Sequence, residues 1–363
     1  MFNEIEIYED LNSNLRNIWV ELEKDSFNHC FQSYSWFSYW LDFYKRNKKN
    51  FLLQVVVLKK DKKVFAIYPF IIIKRLGFKI LQWAGGSYAD YKSPIYSKKI
   101  NYFDDKENFI HDLKIIIKKI AKHDIVIFER QPSDILGLKN PFYFFLPNIQ
   151  TSNSYSVKIE NDFFNYRNSL NKKFISDSNR RFNLSKNKFL IDFIHSSDEI
   201  IFKENIDDLI MLKYQRLKNK KKFLEKKNHF YKKLHYLNCD SIQVYLSFIK
   251  FDEVKISYNL GVKYKKCFYH LVPTFKQEEY KKFAPGRLLT FKLIDWCHKN
   301  NLSLFDFTIG EESYKKDFSN QTKKISFSMP YINNLKGLIF FYLVYLIKII
   351  YLILKNLFNK KYK

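Results

Sequence analysis

Residues 275–318 read FKQEEYKKFAPGRLLTFKLIDWCHKNNLSLFDFTIGEESYKKDF, and they contain the most informative pattern in the chain. Pro285 stands where a first-turn proline is common, and the residues after it show helical periodicity. The apolar segment LSLFDFTIG then reads as a short buried strand that ends at Gly310. The stretch therefore predicts a helix followed by a strand, with the acids Glu311 and Glu312 directly after the strand.

The predicted helix start is also a candidate anion site. Gly286 has no side chain to block a close approach, Arg287 adds a positive charge, and the first N–H groups of a helix point outward. An ordinary helix start is the commoner explanation of the same residues. Both interpretations stay open on these residues alone.

The segments upstream repeat one pattern. IQVYLSFIKFDEVKISYNLGVKYKKCFYHLVPTF predicts three strands preceded by basic helices, and FLLQVVVLKKDKKVFAIYPFIIIKRLGFKILQW predicts three strands after an aromatic helix. A helix and a three-strand meander that occur twice indicate duplicated domains. We expect an α+β protein with two tandem domains, residues 1–150 and 151–330, each a mostly antiparallel twisted sheet flanked by helices.

The stretch WAGGSYADYKSPIY, residues 83–96, follows the third strand of the first meander. Paired glycines at a strand end indicate a turn, a bulge or a close approach to the backbone. Asp90 stands between Tyr88 and Tyr91, and a half-buried acid is uncommon without a partner. Asp90 is therefore either part of a structural turn or a residue that binds the acceptor substrate of a reaction.

The overall charge points to anionic partners. The formal net charge is +26, from 63 Lys and Arg against 37 Asp and Glu, which attracts phosphate, anionic lipid or nucleic acid. A coding bias towards lysine explains much of the excess as well. In the basic segment NKKFISDSNRRFNLSKNK, a solvated lysine face is the common explanation, but Arg180 and Arg181 suit bidentate phosphate contacts.

The cysteines and the amino terminus indicate a reducing compartment. The four cysteines lie far apart without a CxxC or zinc-ligand spacing, so we expect neither a disulfide framework nor a metal site. The first residues, MFNEIEIYEDLNSNLRNIW, contain early acids and no apolar segment like that of a signal peptide. We therefore expect a cytoplasmic protein.

The last segment, residues 331–363, differs from the rest. It contains the apolar run GLIFFYLVYLIKIIYLILKNLF and six lysines but no acid. Lys348, Lys355 and Asn359 share one helical face, which favours an amphipathic helix lying in the membrane interface with its lysines at anionic headgroups. A transmembrane span and a helix packed on the protein are the alternatives. We expect a peripheral protein on the inner face of the cytoplasmic membrane.

Four segments together resemble the GNAT acyltransferase superfamily, in the branch described as CelD-like or Fem-like. In chain order they are GGSYADYKSP, CFYHLVPTF, FAPGRLLTF and FDFTIGEESYKKDF, and the resemblance covers most of residues 30–325. It implies two GNAT-like domains, with acetyl-CoA or another acyl-CoA bound by the second and an acceptor in the cleft between them. GNAT folds separate two neighbouring strands to admit the thioester, and the resemblance implies that these strands are residues 269–273 and LSLFDF. The Q/RxxGxG/A phosphate loop common in GNAT enzymes is replaced here by KKFAPGRLL, which is a departure from the family pattern.

The resemblance also implies roles for individual residues. The CoA pyrophosphate would lie on the turn before the predicted helix, and the cofactor-binding candidates are Pro285, Gly286, Arg287, Leu288 and Lys315. The candidate bases are Asp90, His270 and Glu311, and Tyr314 is the candidate that protonates the leaving thiolate. The substrate-binding candidates are Tyr88, Tyr91, Arg180, Arg181 and Asp306. Lys315 either meets phosphate or pairs with Asp306.

The predicted function is N-acylation of an amino sugar or similar amine during synthesis of a cell-surface polysaccharide or glycolipid. Its partners would be acyl-CoA, an amine-bearing sugar nucleotide or lipid-linked glycan, and the anionic inner-membrane surface. One alternative is a Fem-like aminoacyltransferase that uses aminoacyl-tRNA. The other is a non-catalytic, membrane-associated assembly factor.

Overall fold

The computed structural model describes residues 2–47, 50–99, 105–159, 162–216, 228–276, 279–346 and 349–351. The chain divides into two compact units, Met1–Asn153 with Lys323–Lys363 and Ser154–Thr322. It passes from the first unit to the second within the strand Asn148–Lys158 and returns within the strand Gln321–Ser328.

The first unit is built on one twisted sheet flanked by helices. The strands of this sheet are β1 (Glu4–Tyr8), β2 (Ser26–Phe27), β3 (Phe51–Lys60), β4 (Lys63–Arg75), β5 (Phe78–Trp83), β6 (Ile95–Ser97), β7 (Ile125–Ile127) and β18 (Tyr331–Ile332). The unit also contains β8 (Gln131–Pro132), the hairpin of β9 (Asp134–Ile135) and β10 (Leu138–Lys139), and most of β17 (Gln321–Ser328), which lie outside this sheet. Its helices are α1 (Ser13–Lys24), α2 (Tyr34–Asn47), α3 (Lys106–Lys119), α4 (Pro141–Phe144) and α10 (Leu335–Phe340).

The strands of this sheet follow the order β1-β3-β4-β5-β7-β18. All neighbours are antiparallel except β5 and β7, which α3 connects as a parallel crossover. The predicted three-strand meander is therefore confirmed as β3, β4 and β5. The turn between β4 and β5 has positive φ at both Leu76 (51°) and Gly77 (84°), as a two-residue hairpin turn that matches the strand twist requires.

The second unit repeats this design. Its strands are the second part of β11 (Asn148–Lys158), β12 (Ile191–Ser196), β13 (Ile242–Phe251), β14 (Val254–Tyr264), β15 (Cys267–Phe275) and β16 (Leu304–Ile309). Its helices are α5 (Phe163–Ser169), α6 (Lys172–Lys186), α7 (Glu199–Arg216), α8 (Pro285–Lys299) and α9 (Ser313–Phe318).

Strand order in the second unit is β12-β13-β14-β15-β16-β11, again antiparallel except for one parallel pair, β15 and β16. In both units an edge strand, a meander, a crossover helix and a parallel strand follow one another. The predicted α+β class is confirmed. The helix predicted at Pro285 begins there, and Leu288, Phe291 and Ile294 bury its inner face in the core.

The carboxyl-terminal segment packs on the first unit with one of its sides. The Gly337 backbone lies so close to Asp124 that a Cβ at Gly337 would be 2.0 Å from the Asp124 carbonyl oxygen. Phe340 and Tyr345 are buried in a cluster with Ile125 and neighbouring apolar residues. Within the described residues, no helix has the length and apolar character needed to cross a bilayer. The positions used to predict an interfacial face, Lys348, Lys355 and Asn359, lie outside the described residues.

Candidate functional site

Strands β15 and β16 separate in the middle of the second sheet. Their parallel pairing joins Cys267 to Leu304, Phe268 to Phe305 and Tyr269 to Asp306, and then stops. Both strands continue, as residues 270–275 and 307–309. We call the region bounded by these two continuations the strand split. It leaves backbone groups of two central strands unpaired with each other, so it is a place where a ligand can bind between them.

A local distortion of β16 accompanies the separation. Thr308 has φ of 59°, which a β-branched residue rarely adopts, and its N–H donates to the Asp306 Oδ1 at 2.7 Å. The pairing of β16 with β11 also shifts register here, between Ser154 and Ser156. Asp306 is buried and its carboxylate holds this backbone turn. It is therefore a residue that shapes the split, in contrast to the predicted direct contact with substrate.

Buried polar groups without partners lie beside the split, on β15 and on the neighbouring strand β14. His270 is 2% exposed, and its Nδ1 has no hydrogen-bond partner among the described residues. The amide nitrogen and oxygen of Asn259, on the neighbouring strand, also have none in that part of the chain. Such groups are uncommon in native proteins because each costs about 1–3 kcal/mol. They indicate a site that a polar ligand or water completes.

An ion pair between a buried lysine and an exposed glutamate follows the split. Lys315 is 4% exposed, its Nζ donates to the Ile309 carbonyl oxygen at 3.1 Å, and it lies 2.9 Å from the Glu312 Oε2. Gly310 permits this, because a Cβ there would be 2.2 Å from Glu312 and 2.7 Å from Lys315. The partner of Lys315 is thus Glu312, and the predicted pair with Asp306 does not form. With its Nζ turned inward, Lys315 is also poorly placed for the predicted phosphate contact.

The charge of a second lysine, Lys213, influences the same side chains. The Lys213 Nζ, from α7, donates to the Pro273 carbonyl oxygen at 3.2 Å on the β15 side of the split. Burial works to raise the pKa of Glu312, but the charges of Lys315 and Lys213 outweigh it and lower that pKa. Burial, helped by the same two cations, lowers the pKa of His270 to about 3. His270 is therefore neutral near pH 7 and too weakly basic for the predicted role of general base.

This depressed pKa predicts a loss of stability in acid. Because unfolding restores an ordinary histidine pKa near 6.5, stability is complete above about pH 6.5 and falls below it by up to about 1.4 kcal/mol per pH unit for each such group. Burial also lowers the pKa of His195 to about 3, so both residues contribute. Chemical unfolding from pH 7.5 to pH 4.5 should show a shallower decline in His270→Gln than in the wild type. The exposed His111→Gln is the matched control, and equal slopes in all three proteins would contradict the prediction.

The corresponding region of the first unit is filled. The parallel pairing of β5 and β7 ends at Gln82 and Ile127, and the next residues, Trp83 and Phe128, have ring centroids 5.1 Å apart. Phe142 packs against both of these rings, at 5.0 and 5.2 Å. Aromatic side chains thus occupy the space where a ligand would enter. The open split is a feature of the second unit.

The structure brings together three arginines that the sequence predicted separately. Arg180, Arg181 and Arg287 each bond the Asp177 carboxylate, at 2.8, 2.8 and 2.9 Å. Hydrogen bonds from these arginines hold the pKa of Asp177 well below its usual range. One acid therefore neutralises one of three cations. We call these four residues the arginine cluster, and its excess charge suits a phosphate-bearing ligand.

The arginine cluster lies at the start of α8, where the sequence predicted an anion site. The N–H groups of Arg287 and Leu288 both bond the Ala284 carbonyl, and Pro285 has no N–H. Few first-turn amides are thus left for an anion, and arginine side chains supply most of the attraction. Gly286 packs on the last residue of β15, since a Cβ there would be 3.0 Å from the Phe275 ring. This contact places the helix start at the end of the strand that borders the split.

The glycine-rich stretch of the first unit is held by an ion pair. The Arg130 Nη1 lies 3.3 Å from the Asp90 Oδ1 and donates to the Ala89 carbonyl oxygen at 2.9 Å. Gly85 is necessary there, because a Cβ at its φ of 94° would be 2.6 Å from the Ala89 Cβ. Asp90 therefore has the structural role that the sequence left open. A role in acceptor binding stays a prediction.

The remaining predicted residues have mixed environments. Tyr91 is fully buried against His29, with ring centroids 4.4 Å apart, so the prediction that it contacts an acceptor is wrong. Tyr88 is half-buried and packs on Phe43. Tyr314 is half-buried, its ring 6.0 Å from that of Phe307, whereas Glu311 is exposed. Pro285 and Leu288, in the first turn of α8, are buried.

Sequence reasoning missed four residues that the structure places in the site. Asp177 precedes Arg180 and Arg181 by three and four positions, a helical spacing that could have revealed it. Glu312 has the same relation to Lys315. Asn259 and Lys213 carry no such signal, because only the pairing of strands and the packing of α7 bring them near the split. Among the described residues, no cluster of His, Cys, Asp or Glu could hold a metal ion.

Comparison with protein families gives a match to one domain family. Residues 198–316, which include α7, the meander, α8 and the split, match the model described as "Acetyltransferase (GNAT) domain". Curated protein sequences gave no match to this chain. The matched segment contains Lys213, His270 and Lys315.

Solved structures with a similar fold cover nearly the whole chain. FemX has a TM-score of 0.62 at 11% identity, over 93% of this chain and 99% of that one. L-PGS from Bacillus licheniformis has a TM-score of 0.52 at 10% identity, over 91% and 96%. A conserved protein from Bacteroides thetaiotaomicron VPI-5482 has a TM-score of 0.51 at 10% identity, over 90% and 100%. These likenesses concern the fold. They agree with the predicted fold, and both the Fem-like and the CelD-like branch stay predictions.

Proposed function

We propose a donor, an acceptor and a reacting centre for this chain. Its residues 198–316 match the GNAT acetyltransferase domain, and the chain is an acyltransferase of that type. The reaction is transfer of an acyl group to an amine. The donor is acetyl-CoA or another acyl-CoA, and its acyl group reacts at the strand split.

The observation that carries this proposal is the end of pairing at Tyr269 and Asp306. An acyl chain and its carbonyl can lie between two strands whose backbones no longer bond each other. The buried Nδ1 of His270 and the amide of Asn259 are the polar groups that such a ligand would satisfy. The aromatic filling around Phe142 explains why we place the reaction in the second unit.

The proposed chemistry is attack of the acceptor amine on the acyl carbonyl carbon. A C–N bond forms, the bond to the donor sulfur breaks, the amine loses one proton and the thiolate takes one. The Lys315 ammonium, fixed by the Ile309 carbonyl and by Glu312, stabilises the oxyanion that develops. We assign the amine proton to Glu311, exposed after Gly310, and the proton of the leaving group to Tyr314.

The donor phosphates are proposed to bind the arginine cluster. Arg181 and Arg287 are half-buried and pre-oriented by Asp177, which limits the entropy lost on binding. Since Gly286 contacts Phe275, the cluster borders the end of β15 and thus the split. For the acceptor we propose an amino sugar or similar amine of a cell-surface polysaccharide or glycolipid precursor. We place the reaction in the cytoplasm, at the inner membrane face where such precursors would be reached.

A second donor class is supported by the charge of α6. Lys172, Lys173, Arg180 and Lys186 are exposed on this helix, so it could bind a longer phosphate backbone than that of CoA. The fold similarity to FemX is compatible with the Fem-like alternative, in which aminoacyl-tRNA supplies the acyl group through an ester. Salt sensitivity distinguishes the two, because contacts to several phosphates weaken steeply between low and moderate salt.

The experiment is transfer of a radiolabelled acyl group to amino-sugar nucleotides from acetyl-CoA or from aminoacyl-tRNA. We expect Arg181→Gln combined with Arg287→Gln to raise the KM of the true donor about 30-fold, since each of the two lost charged contacts costs on the order of 1 kcal/mol. The kcat should change much less, because these side chains do not touch the reacting carbonyl.

The matched control is Arg46→Gln, which breaks an exposed ion pair with Asp42 in the first unit. It should leave the KM unchanged. If both variants have the wild-type KM for every donor that reacts, the donor site is not at the arginine cluster. If neither donor supports transfer to any amine, the proposed reaction is wrong.

A further inference from the structure

We propose that the helical residues 335–346 and 349–351, called here the carboxyl-terminal helix, and the β4–β5 turn together form a docking surface for an anionic lipid bilayer. This surface is separate from the strand split and does not depend on the proposed reaction. Its members are exposed and apolar, and we call them the apolar face: Leu76, Leu335, Ile339, Tyr342, Leu343 and Ile350.

The helix is docked so that these side chains point away from the protein. Asn334 caps α10 by accepting from the Gly337 N–H at 3.0 Å, and its amide donates to Asp124 at 2.9 Å. With Gly337 against the Asp124 backbone, Phe340 and Tyr345 are fixed inward. Leu343 is then 65% exposed and Leu335 is 72% exposed. The helix is thus apolar on both sides, although only one side has a protein partner in the described part of the chain.

The β4–β5 turn carries an apolar residue where a polar one would be expected. Leu76 is 76% exposed and has φ of 51°, a conformation that favours Gly, Asn or Asp at a hairpin tip. A leucine at this position has a strained backbone and an apolar side chain exposed to water, and both are unfavourable. Among the residues that the structure describes, no contact of Leu76 explains either cost, whereas burial in lipid would offset the exposure.

The turn and the helix are neighbours. Phe78, two residues after Leu76, has its ring centroid 5.0 Å from that of Phe340. Burial and Glu129 raise the pKa of the Tyr345 hydroxyl, and the charge of Arg75 acts in the opposite direction, so Arg75 also lies near the helix. The two apolar elements therefore belong to one region of the first unit.

Basic residues surround this region. Lys74 and Lys79 are cross-strand partners in the turn and, with Leu52 and Ile72, line a shallow pocket beside it. Arg75 and Lys336 are exposed as well, and residues 331–363 contain six lysines and no acid. The nearby acids are Asp124, engaged by Asn334, and Glu129. This charge favours an anionic bilayer surface over a neutral one, and it disfavours self-association through like charges.

The test is flotation of the full chain with vesicles of phosphatidylcholine alone or mixed with phosphatidylglycerol. We expect binding to the mixed vesicles that weakens as salt rises, because headgroup attraction is screened. Leu76→Glu combined with Leu343→Glu should reduce it at least about tenfold, since two apolar side chains are replaced by charges that the bilayer repels. Lys74→Ser with Lys79→Ser should reduce the preference for anionic vesicles.

The matched control is Leu190→Glu, a leucine with 71% exposure in the second unit. It should bind vesicles like the wild type, and thermal unfolding should show that all variants are folded. Equal binding by Leu76→Glu/Leu343→Glu and the wild type would overturn the proposal. It would also be overturned if the wild type bound no vesicles and formed dimers that the double variant abolished, because the partner would then be a second copy of the chain. Acyl transfer is not a readout here, so failure of either proposal is distinguishable from failure of the other.

Discussion

Lys315→Gln should lower the kcat of acyl transfer by about 100- to 1,000-fold and leave the KM of the donor nearly unchanged. The lysine follows the strand split, and its Nζ is fixed between the Ile309 carbonyl and Glu312. A preorganised cation matters most when charge develops on the carbonyl oxygen, so its removal affects the transition state more than the bound donor. Single-turnover kinetics with a saturating donor measure this effect directly.

The chain offers a close control for this substitution. Lys316→Gln removes the same charge from the next residue of α9, where the lysine is exposed. It should keep the wild-type rate. Thermal unfolding should show that both variants are folded, because Glu312 is exposed enough to lose its partner without a buried charge remaining. Equal rates for the two variants would show that Lys315 only supports the structure.

Gly337→Ala should destabilise the first unit by about 1–3 kcal/mol, the usual range for overpacking. The added Cβ would lie 2.0 Å from a backbone oxygen of Asp124, and a backbone atom has no alternative rotamer. Relief requires α10 to move away, which would expose Phe340 and Tyr345. Denaturant unfolding measures the loss, and limited proteolysis should cleave the chain after about residue 333.

Lys336→Ala is the control for this prediction. It changes the adjacent, exposed residue of the same helix to the best helix former, so it should leave the stability equal or slightly higher. If Gly337→Ala unfolded at the wild-type denaturant concentration and resisted protease equally, the close contact with Asp124 would not determine how the helix docks.

The elements of the fold were readable because each has a strong local pattern. The apolar runs that became β3, β4 and β5 and those that became β13, β14 and β15 are long, β-branched and separated by turn residues. Pro285 marked the start of α8 through its fixed φ and missing N–H. Local effects of this kind involve residues only a few positions apart, so they can be predicted from the sequence.

The site was only partly readable. Arg180, Arg181 and Arg287 were singled out by residue type, but only the packing of α6 on α8 brings Arg287 to Asp177, the acid that all three share. Tyr91 was predicted to be accessible, but in the fold the loop around Gly85 and the ring of His29 bury it. Residue type says what a side chain can bind, whereas burial decides whether it is reachable.

By itself, the sequence determined the α+β class, the duplicated order of helix and meander, and the basic, apolar end of the chain. Only the tertiary structure decided where the two strands that were expected to separate do so, after Tyr269 and Asp306, and that Arg287 of α8 reaches Asp177 of α6. It also decided which side of the last helix remains exposed. The physical reason is range: propensity and periodicity act along the chain, while strand register, ion pairing and burial depend on residues that the fold brings together from distant positions.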